Sequence, residues 1–212
     1  MKKEYLNTIV KHYEDCLDKH GDSHLGVDWP KEEDVNTRYK VMLDIINFFG
    51  CKPEQTNTLL DFGSGTGGLF QFMKNANMTC IEYSGLDISE KFIQLSKNKF
   101  PGTTFYQTDI LDENSTLPDF DFIIMNGVFT EKRELTFETM WDYFTQMLTK
   151  VFKHARKGVA FNVMSKAVSW EREDLFHLPA DILINFLTKE LTRNFIIRND
   201  YGLFEYTTYI YK

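Results

Sequence analysis

The sequence predicts an α/β fold: a doubly wound, seven-stranded, mostly parallel sheet with helices on both faces and a C-terminal antiparallel β-hairpin. Two observations predict this fold class. From Thr58 onwards, short apolar runs typical of buried strands alternate five times with stretches of helical periodicity. The chain then closes with two alternating runs joined by a polar turn around Asp200 to Gly202. Such an alternation gives a parallel sheet joined by right-handed crossovers.

The N-terminal part of the chain reads as two helices with a polar connection. The first helix is indicated by apolar residues at helical spacing, namely Leu6, Ile9, Val10, Tyr13 and Leu17. The second begins after Pro30 and ends at Gly50. We expect residues 1–50 to form a helical cap and residues 51–212 to form one compact main domain.

In the main domain the predicted elements follow one another in a fixed order. The strands are "TLLDFG", "TCIEYSGLDIS", "TTFYQTDI", "FDFIIMNG" and "GVAFNVMS". The helices between them are "GLFQFMKNA", "EKFIQLSKNKF" with Ser89 as its N-cap, and "FETMWDYFTQMLTKVFKHA". A loop, "KAVSWEREDLFHL", precedes a last helix from about Pro179 to Glu190. In such sheets a ligand binds beyond the carboxyl ends of the strands, where the strand order reverses.

Composition and charge argue against several classes of binding partner and of stabilising site. The net charge is -7 and the basic residues are not clustered, so we expect no nucleic-acid partner. The three cysteines, Cys16, Cys51 and Cys80, form no C-x-x-C pair, which argues against disulfides and a zinc site. No stretch resembles a signal peptide or a membrane helix, so we expect a cytoplasmic protein without a membrane partner. The oligomeric state is not indicated.

A glycine-rich turn, "LLDFGSGTGG", follows the first predicted strand. A phosphate-binding P-loop is excluded because no Lys-Ser or Lys-Thr follows the glycines. A dinucleotide site fits by letter, with Gly63-x-Gly65-x-x-Gly68 and Asp87 as the acid that binds the ribose. Two further acids, Asp61 and Asp109, have no standard use in a nicotinamide site.

From about Thr58 to Lys212 the chain resembles class I S-adenosylmethionine-dependent methyltransferases, in particular small bacterial ones of unassigned substrate. Their first motif is an apolar pair, an acid, an apolar residue and then G-x-G-x-G, which matches residues 59–67. Their acids at the ends of the second and third strands match Asp87 and Asp109, and the closing hairpin is also a mark of that fold. The resemblance implies S-adenosylmethionine as cofactor and S-adenosylhomocysteine as product.

The resemblance implies that the turn binds the methionine part of the cofactor. Glycine lets the backbone turn sharply and approach the ligand without a clash of Cβ; the residues implied are Gly63, Ser64, Gly65, Thr66 and Gly67. Asp61 would brace this turn or accept a hydrogen bond from the ligand ammonium. Asp87 would accept both ribose hydroxyls, or act as the N-cap of the next helix.

Further positions are implied around the adenine and the methyl group. Asp109 would accept from the adenine amino group while the Ile110 amide donates to a ring nitrogen, and Ile88 would pack on one adenine face. Asn126 and Gly127 end the fourth strand, where the sulfur should lie. Asn126 would contact the ligand or the acceptor, or else brace the strand-to-helix turn.

Two residues of the N-terminal part are candidates by their place along the chain. Trp29 would cover the adenine or methionine part of the ligand, or pack in the core. Arg38 would pair with the ligand carboxylate, or lie exposed on its helix. His20, His24 and His177 could lie at the rim of an acceptor pocket, but the sequence assigns none of them as a catalytic base.

The methyl acceptor is the least determined part of the function. The chain lacks the N/D-P-P-Y/F run of base-amino methyltransferases, and only Glu131 lies near the end of the fourth strand as an acid, so we expect no metal. We expect a small-molecule or glycan acceptor that is methylated on O or N. The alternatives are a protein or peptide side chain, a non-catalytic partner or sensor that binds the cofactor, and, least favoured, an NAD-dependent oxidoreductase.

Overall fold

Six α-helices lie within residues 3–49 and 55–212, the part of the chain that the computed structural model describes. They are α1 (Lys3–His20), α2 (Glu32–Phe48), α3 (Gly68–Asn75), α4 (Glu90–Lys99), α5 (Phe137–His154) and α6 (Ala180–Phe186). A 3₁₀ turn at Leu25–Val27 lies between α1 and α2, and a π-helical turn at Leu187–Leu191 continues α6. None of the helices in these ranges combines the length and apolar character needed to cross a membrane.

The described strands form one mixed sheet. They are β1 (Asn57–Phe62), β2 (Ile81–Asp87), β3 (Thr104–Gln107), β4 (Phe120–Met125), β5 (Ala155–Ser165), β6 (His177–Leu178), β7 (Phe195–Arg198) and β8 (Glu205–Tyr211). Neighbours follow the order β3-β2-β1-β4-β5-β8-β7, and β6 pairs with β5 beside this path. Pairs from β3 to β5 are parallel, whereas β8 runs antiparallel to β5 and β7. The predicted fold class is confirmed.

The structure adds one strand and moves several strand ends. Strand β6 lies in the stretch predicted as a loop, because two residues are too few to show an alternating pattern. Strand β3 ends before Asp109, whose Oδ1 accepts from the Leu111 amide at 2.9 Å and so closes a turn. Strand β4 ends before Gly127, whose φ of 81° is incompatible with a strand. These changes leave Asp109, Asn126 and Gly127 on connections, whereas Asp61 and Asp87 remain in the ladder.

Two apolar layers cover the sheet, and alternate residues of β1 supply one to each. Leu59 packs in the layer that contains Met42 and Ile45 of α2, together with α3 and α4. Leu60 packs in the opposite layer, with Phe144 of α5. Both leucines are fully buried, as the two-residue period of a strand between two helical layers requires.

Helix α2 therefore belongs to a layer of the sheet, although the sequence indicated a cap for this region. Its buried face, which includes Met42, Ile45 and Ile46, packs in the same layer as α3. The boundary predicted between residues 50 and 51 lies outside the described residues. The division into 1–50 and 51–212 remains a prediction.

Arg38 joins α2 to the last strand through a buried ion pair. Its Nε donates to both carboxylate oxygens of Glu205 at 3.1 Å, and the two side chains are 13% and 3% exposed. Arg38 is thus neither exposed nor free, and the Nη1 atom of its guanidinium is buried without a hydrogen-bond partner.

We predict that Glu205→Gln lowers the free energy of unfolding by about 3 kcal/mol, because it leaves the buried Arg38 charge without its counterion. Urea unfolding followed by circular dichroism measures this. Glu82→Gln, at an exposed position of β2, is the control and should change stability by less than about 0.5 kcal/mol. Equal stability of the Glu205 variant and the wild type would contradict the prediction.

Candidate functional site

The glycine turn connects β1 to α3 at the edge where the strand order reverses. Gly63, Gly65 and Gly67 have φ values of 77°, 53° and 77°, in the left-handed region that side chains other than glycine rarely adopt. The amides of Gly63 and Ser64 both donate to the Leu86 carbonyl, at 2.7 and 2.9 Å. The turn is therefore folded back over the end of β2.

Asp87, the last residue of β2, holds this turn from below. Its Oδ2 accepts from the Gly65 amide and its Oδ1 from the Ser89 amide, each at 2.9 Å. Burial raises the pKa of the Asp87 carboxyl to about 6, although these two hydrogen bonds act to lower it. Ser89 in turn caps α4, as predicted, since its Oγ accepts from the Phe92 amide at 3.4 Å.

Asp61 lies inside β1 and is only 3% exposed. Its Oδ2 accepts from the Tyr83 hydroxyl at 2.8 Å, which fixes the carboxyl against β2. Burial raises its pKa to about 7, and the nearby Asp87 charge adds to this effect. The cavity thus has two carboxyl groups whose ionised forms are disfavoured unless a positive partner arrives.

Asn126 and Gly127 lie at the carboxyl end of β4. The Gly127 amide donates to Asn162 Oδ1 at 2.7 Å, and its carbonyl accepts from the hydroxyls of Thr130 at 3.0 Å and Tyr13 at 3.4 Å. Both polar atoms of the Asn126 amide are buried without a hydrogen-bond partner. A buried polar group left unpaired costs about 1–3 kcal/mol, so an amide in this position favours a ligand that pairs with it.

The N-terminal helices cover these strand ends. Helix α1 turns an apolar face to the space below it, and Trp29 reaches Gly127, where a Cβ atom would lie 3.5 Å from the indole Nε1. Asp22, in the segment between α1 and α2, joins this segment to the glycine turn and to α4. It accepts from Thr66 Oγ1 at 2.6 Å and from Lys99 Nζ at 2.7 Å. The cover and the strand ends enclose a cavity of about 600 Å³.

Most of the site residues predicted from the sequence line this cavity. They are Trp29, Asp61, Gly63, Ser64, Gly65, Thr66, Asp87, Ile88, Asp109, Ile110, Asn126 and Gly127. Gly67 and Arg38 are not among the lining residues: Gly67 caps α3, and Arg38 pairs with Glu205. Lining the cavity is compatible with cofactor binding, and the individual contacts remain predictions.

The sequence analysis left out part of the lining. From α1 these are Leu6, Ile9 and Val10, and from α5 they are Tyr143 and Met147. The helical spacing of the α1 residues marked an apolar face, but the pattern did not show which surface that face covers. The same holds for α5, whose apolar residues fit a core as well as a pocket.

Comparison with known proteins identifies the central part of the chain. Residues 60–161, from β1 to β5, match the family described as "Methyltransferase domain". These residues form an S-adenosylmethionine-dependent methyltransferase domain. The family and cofactor predicted from the motifs are thereby confirmed, and the matched segment contains the glycine turn, Asp87, Asp109 and Asn126. A sequence comparison with curated proteins gives no match.

Solved structures resemble the whole chain. Magnesium protoporphyrin IX methyltransferase from Synechocystis PCC 6803, with bound S-adenosylmethionine, is 16% identical over 97% of this chain and 96% of its own, with a TM-score of 0.63. The plantazolicin methyltransferase BpumL with a pentazolic analog is 12% identical over 100% and 99%, with a TM-score of 0.59. The CurJ carbon methyltransferase is 15% identical over 99% and 70%, with a TM-score of 0.62. At these identities the likeness shows the fold.

We predict that Asp61→Asn stabilises the methyltransferase domain at high pH. The folded protein raises the pKa of Asp61 from 3.8 to about 7, so the wild type loses stability as the pH rises through that window. Asparagine can still accept from Tyr83 but carries no charge. The variant should gain on the order of 3 kcal/mol over the wild type at pH 8 and nothing at pH 4.

Denaturant titrations at the two pH values measure this difference, and Asp121→Asn is the control. Although burial acts to raise it, the pKa of Asp121 is held below its usual range by a hydrogen bond from the Thr58 amide and by Arg156. Its replacement should therefore destabilise the protein at pH 8. Asp61→Asn destabilising at pH 8 would mean that the carboxylate is already compensated in the fold.

Proposed function

We propose that the chain methylates a small molecule or glycan on oxygen or nitrogen and releases S-adenosylhomocysteine. The observation that supports this most directly is the cavity of about 600 Å³, which lies between the methyltransferase motifs and the N-terminal helices. Pockets of about 300–1,000 Å³ suit drug-sized ligands. An acceptor group that enters under helices α1 and α2 reaches the strand ends only if it is small or carried on a narrow chain.

The lining residues suit the parts of the cofactor in order along the strand ends. Asp87 would accept the ribose hydroxyls, since each of its oxygens keeps a lone pair beyond its bond to a backbone amide. Ile88, Ile110, Tyr143 and Asp109 also line the cavity. The first three would surround the adenine, and Asp109 would accept from its amino group. Asp61 would face the ligand ammonium, whose charge would favour the ionised form of the buried carboxyl.

The methyl group would lie at the carboxyl end of β4, between Asn126 and the cover. The unpaired Asn126 amide can both donate and accept, so it suits either the ligand or a polar acceptor. Tyr13 and Trp29 line the same part of the cavity on the side of the N-terminal helices. In the reaction an acceptor lone pair bonds to the methyl carbon while the carbon–sulfur bond breaks, and the acceptor then gives up its proton. Positioning supplies much of the rate, because the sulfonium is already an activated leaving group.

We propose that His24, the one histidine among the described residues that line the cavity, takes that proton from a hydroxyl acceptor. Its Nδ1 lies 2.7 Å from the Trp29 carbonyl oxygen. A carbonyl only accepts, so Nδ1 carries the proton and the lone pair of the neutral ring is on Nε2. The hydrogen bond fixes the tautomer that a general base requires.

We predict that S-adenosylhomocysteine binding depends on the ionised form of Asp87. Below the pKa of about 6 the affinity of the wild type should fall by up to roughly tenfold per pH unit, because the protonated carboxyl is a weaker acceptor. Asp87→Asn should bind roughly 10- to 100-fold more weakly at pH 8 and should lose less affinity than the wild type below pH 6, because only Asp61 of the two buried acids can then still become protonated. Calorimetric titration between pH 5 and pH 8 measures both effects.

The control for this titration is Asp109→Asn, which removes a carboxylate assigned to the adenine and leaves Asp87 in place. It should bind more weakly than the wild type but keep the same decline below pH 6. If the Asp87 variant declined as steeply as the wild type, the ribose assignment would fail. No binding by folded wild-type protein would contradict the proposal as a whole.

A second prediction concerns His24 with a hydroxyl acceptor found by screening for S-adenosylhomocysteine release. His24→Asn keeps a donor to the Trp29 carbonyl but removes Nε2, so kcat should fall by at least roughly 100-fold while cofactor affinity is unchanged. The exposed His20→Asn is the matched control and should keep full activity. Full activity of the His24 variant would exclude it as the base.

The same assay separates the remaining alternatives. Turnover with peptides but not with small molecules would favour a protein side chain as acceptor, and cofactor binding without any turnover would favour a partner or sensor. The similarity to porphyrin and plantazolicin methyltransferases does not choose among acceptors, since it shows the fold alone. A cytoplasmic location is also part of the proposal, and the free thiols of Cys16 and Cys80 support it.

A further inference from the structure

Three side chains of metal-binding type come together on α1 and the turn that follows it, at positions that do not line the cofactor cavity. His12 and Cys16 lie one turn apart on the same face of α1, and Asp28 follows the 3₁₀ turn. His12 Nε2 is 2.8 Å from Asp28 Oδ2 and 3.9 Å from Cys16 Sγ, and the three donor atoms lie within 4.8 Å of one another. All three side chains are partly buried.

We propose that His12, Cys16 and Asp28 bind one zinc ion. Imidazole nitrogen, thiolate sulfur and carboxylate oxygen are the ligand types of tetrahedral zinc, and a fourth position would be left for water. Tetrahedral bond lengths place a nitrogen and an oxygen ligand about 3.4 Å apart, and a nitrogen and a sulfur about 3.6 Å apart. The distances of 2.8 and 3.9 Å differ from these by about 0.6 and 0.3 Å, which side-chain rotation can supply.

The surroundings of this site favour a cation. Glu131, only 6% exposed, interacts electrostatically with both His12 and Asp28. Its positive neighbour Arg133 is shared, since the guanidinium lies 3.3 Å from Glu131 and 3.4 Å from Asp174. Arg172 also pairs with Asp174, so two arginines serve the three carboxylates of Asp28, Glu131 and Asp174, and a divalent ion would neutralise the remaining negative charge.

An ion here would fasten two parts of the cover to each other. His12 is adjacent to Tyr13, and Asp28 is adjacent to Trp29, and both aromatic residues contact Gly127 at the end of β4. The sequence analysis expected no metal because the three cysteines form no C-x-x-C pair and only Glu131 lies near the end of the fourth strand. Cys16 and Asp28 are 12 positions apart along the chain, across the end of α1 and the 3₁₀ turn, so only the structure brings Asp28 to the α1 pair.

Cobalt titration of the full chain, first stripped with a chelator, tests the proposal without reference to methyl transfer. Tetrahedral Co²⁺ with a thiolate ligand gives strong visible bands and a thiolate-to-metal charge-transfer band. We expect these bands to saturate at one Co²⁺ per chain and to disappear on addition of Zn²⁺. Cys16→Ser should abolish the charge-transfer band, and His12→Ala should weaken Co²⁺ binding by more than about tenfold.

Cys51→Ser and Cys80→Ser are the matched controls and should leave the cobalt spectrum unchanged. Circular dichroism verifies that each variant is folded, and S-adenosylhomocysteine binding verifies that the cofactor cavity is intact. The proposal is overturned if the wild type shows no saturable band. It is equally overturned if the band survives Cys16→Ser or is lost in either control variant, since the three side chains would then form only a hydrogen-bonded cluster.

Discussion

The geometry of the site depends on one carboxylate, that of Asp87. It binds the Gly65 amide with one oxygen and the Ser89 amide with the other, and so joins the glycine turn to the start of α4. The turn needs such a support because it reverses the chain with backbone angles that only glycine adopts readily. Thr66, which belongs to this turn, donates a hydrogen bond to Asp22 in the segment between α1 and α2. The strand ends, the turn and the cover are thus connected through a short chain of hydrogen bonds.

Sequence reasoning succeeded where topology alone fixes position. Asp61, Asp87 and Asp109 belong to three adjacent parallel strands or their carboxyl ends, so the predicted alternation of elements was enough to bring them to one cavity. It failed where a partner is distant along the chain. Nothing near Arg38 indicates that Glu205, in the last strand, takes its guanidinium. The apolar face of α1 was likewise visible as a face, but which surface it covers is a property of the folded chain.

The cover is held more weakly than the sheet. Apart from its apolar face, α1 is attached through Asp18 to Lys91, through Glu14 to the Ser89 hydroxyl, and through the Tyr13 hydroxyl to the Gly127 carbonyl. The Asp18 side chain is 63% exposed, and ion pairs of this kind contribute only about 0–1 kcal/mol. The sheet beneath is instead fixed by continuous ladders and fully buried side chains. Displacement of helix α1 is therefore the least costly motion that widens access to the cavity, and it leaves α2 and the strand ends in place.

The two buried acids also affect how strongly the cavity would bind the cofactor compared with its product. The pKa values of Asp61 and Asp87, about 7 and about 6, mean that burial makes their charges costly until a positive ligand compensates them. S-adenosylmethionine carries a sulfonium and an ammonium charge, whereas S-adenosylhomocysteine keeps only the ammonium. In a cavity of low dielectric the loss of one positive charge removes part of the attraction to both carboxylates. On the proposed assignment, transfer of the methyl group would weaken the binding of the product as it forms, because the two carboxylates would attract the doubly positive cofactor more strongly than its product.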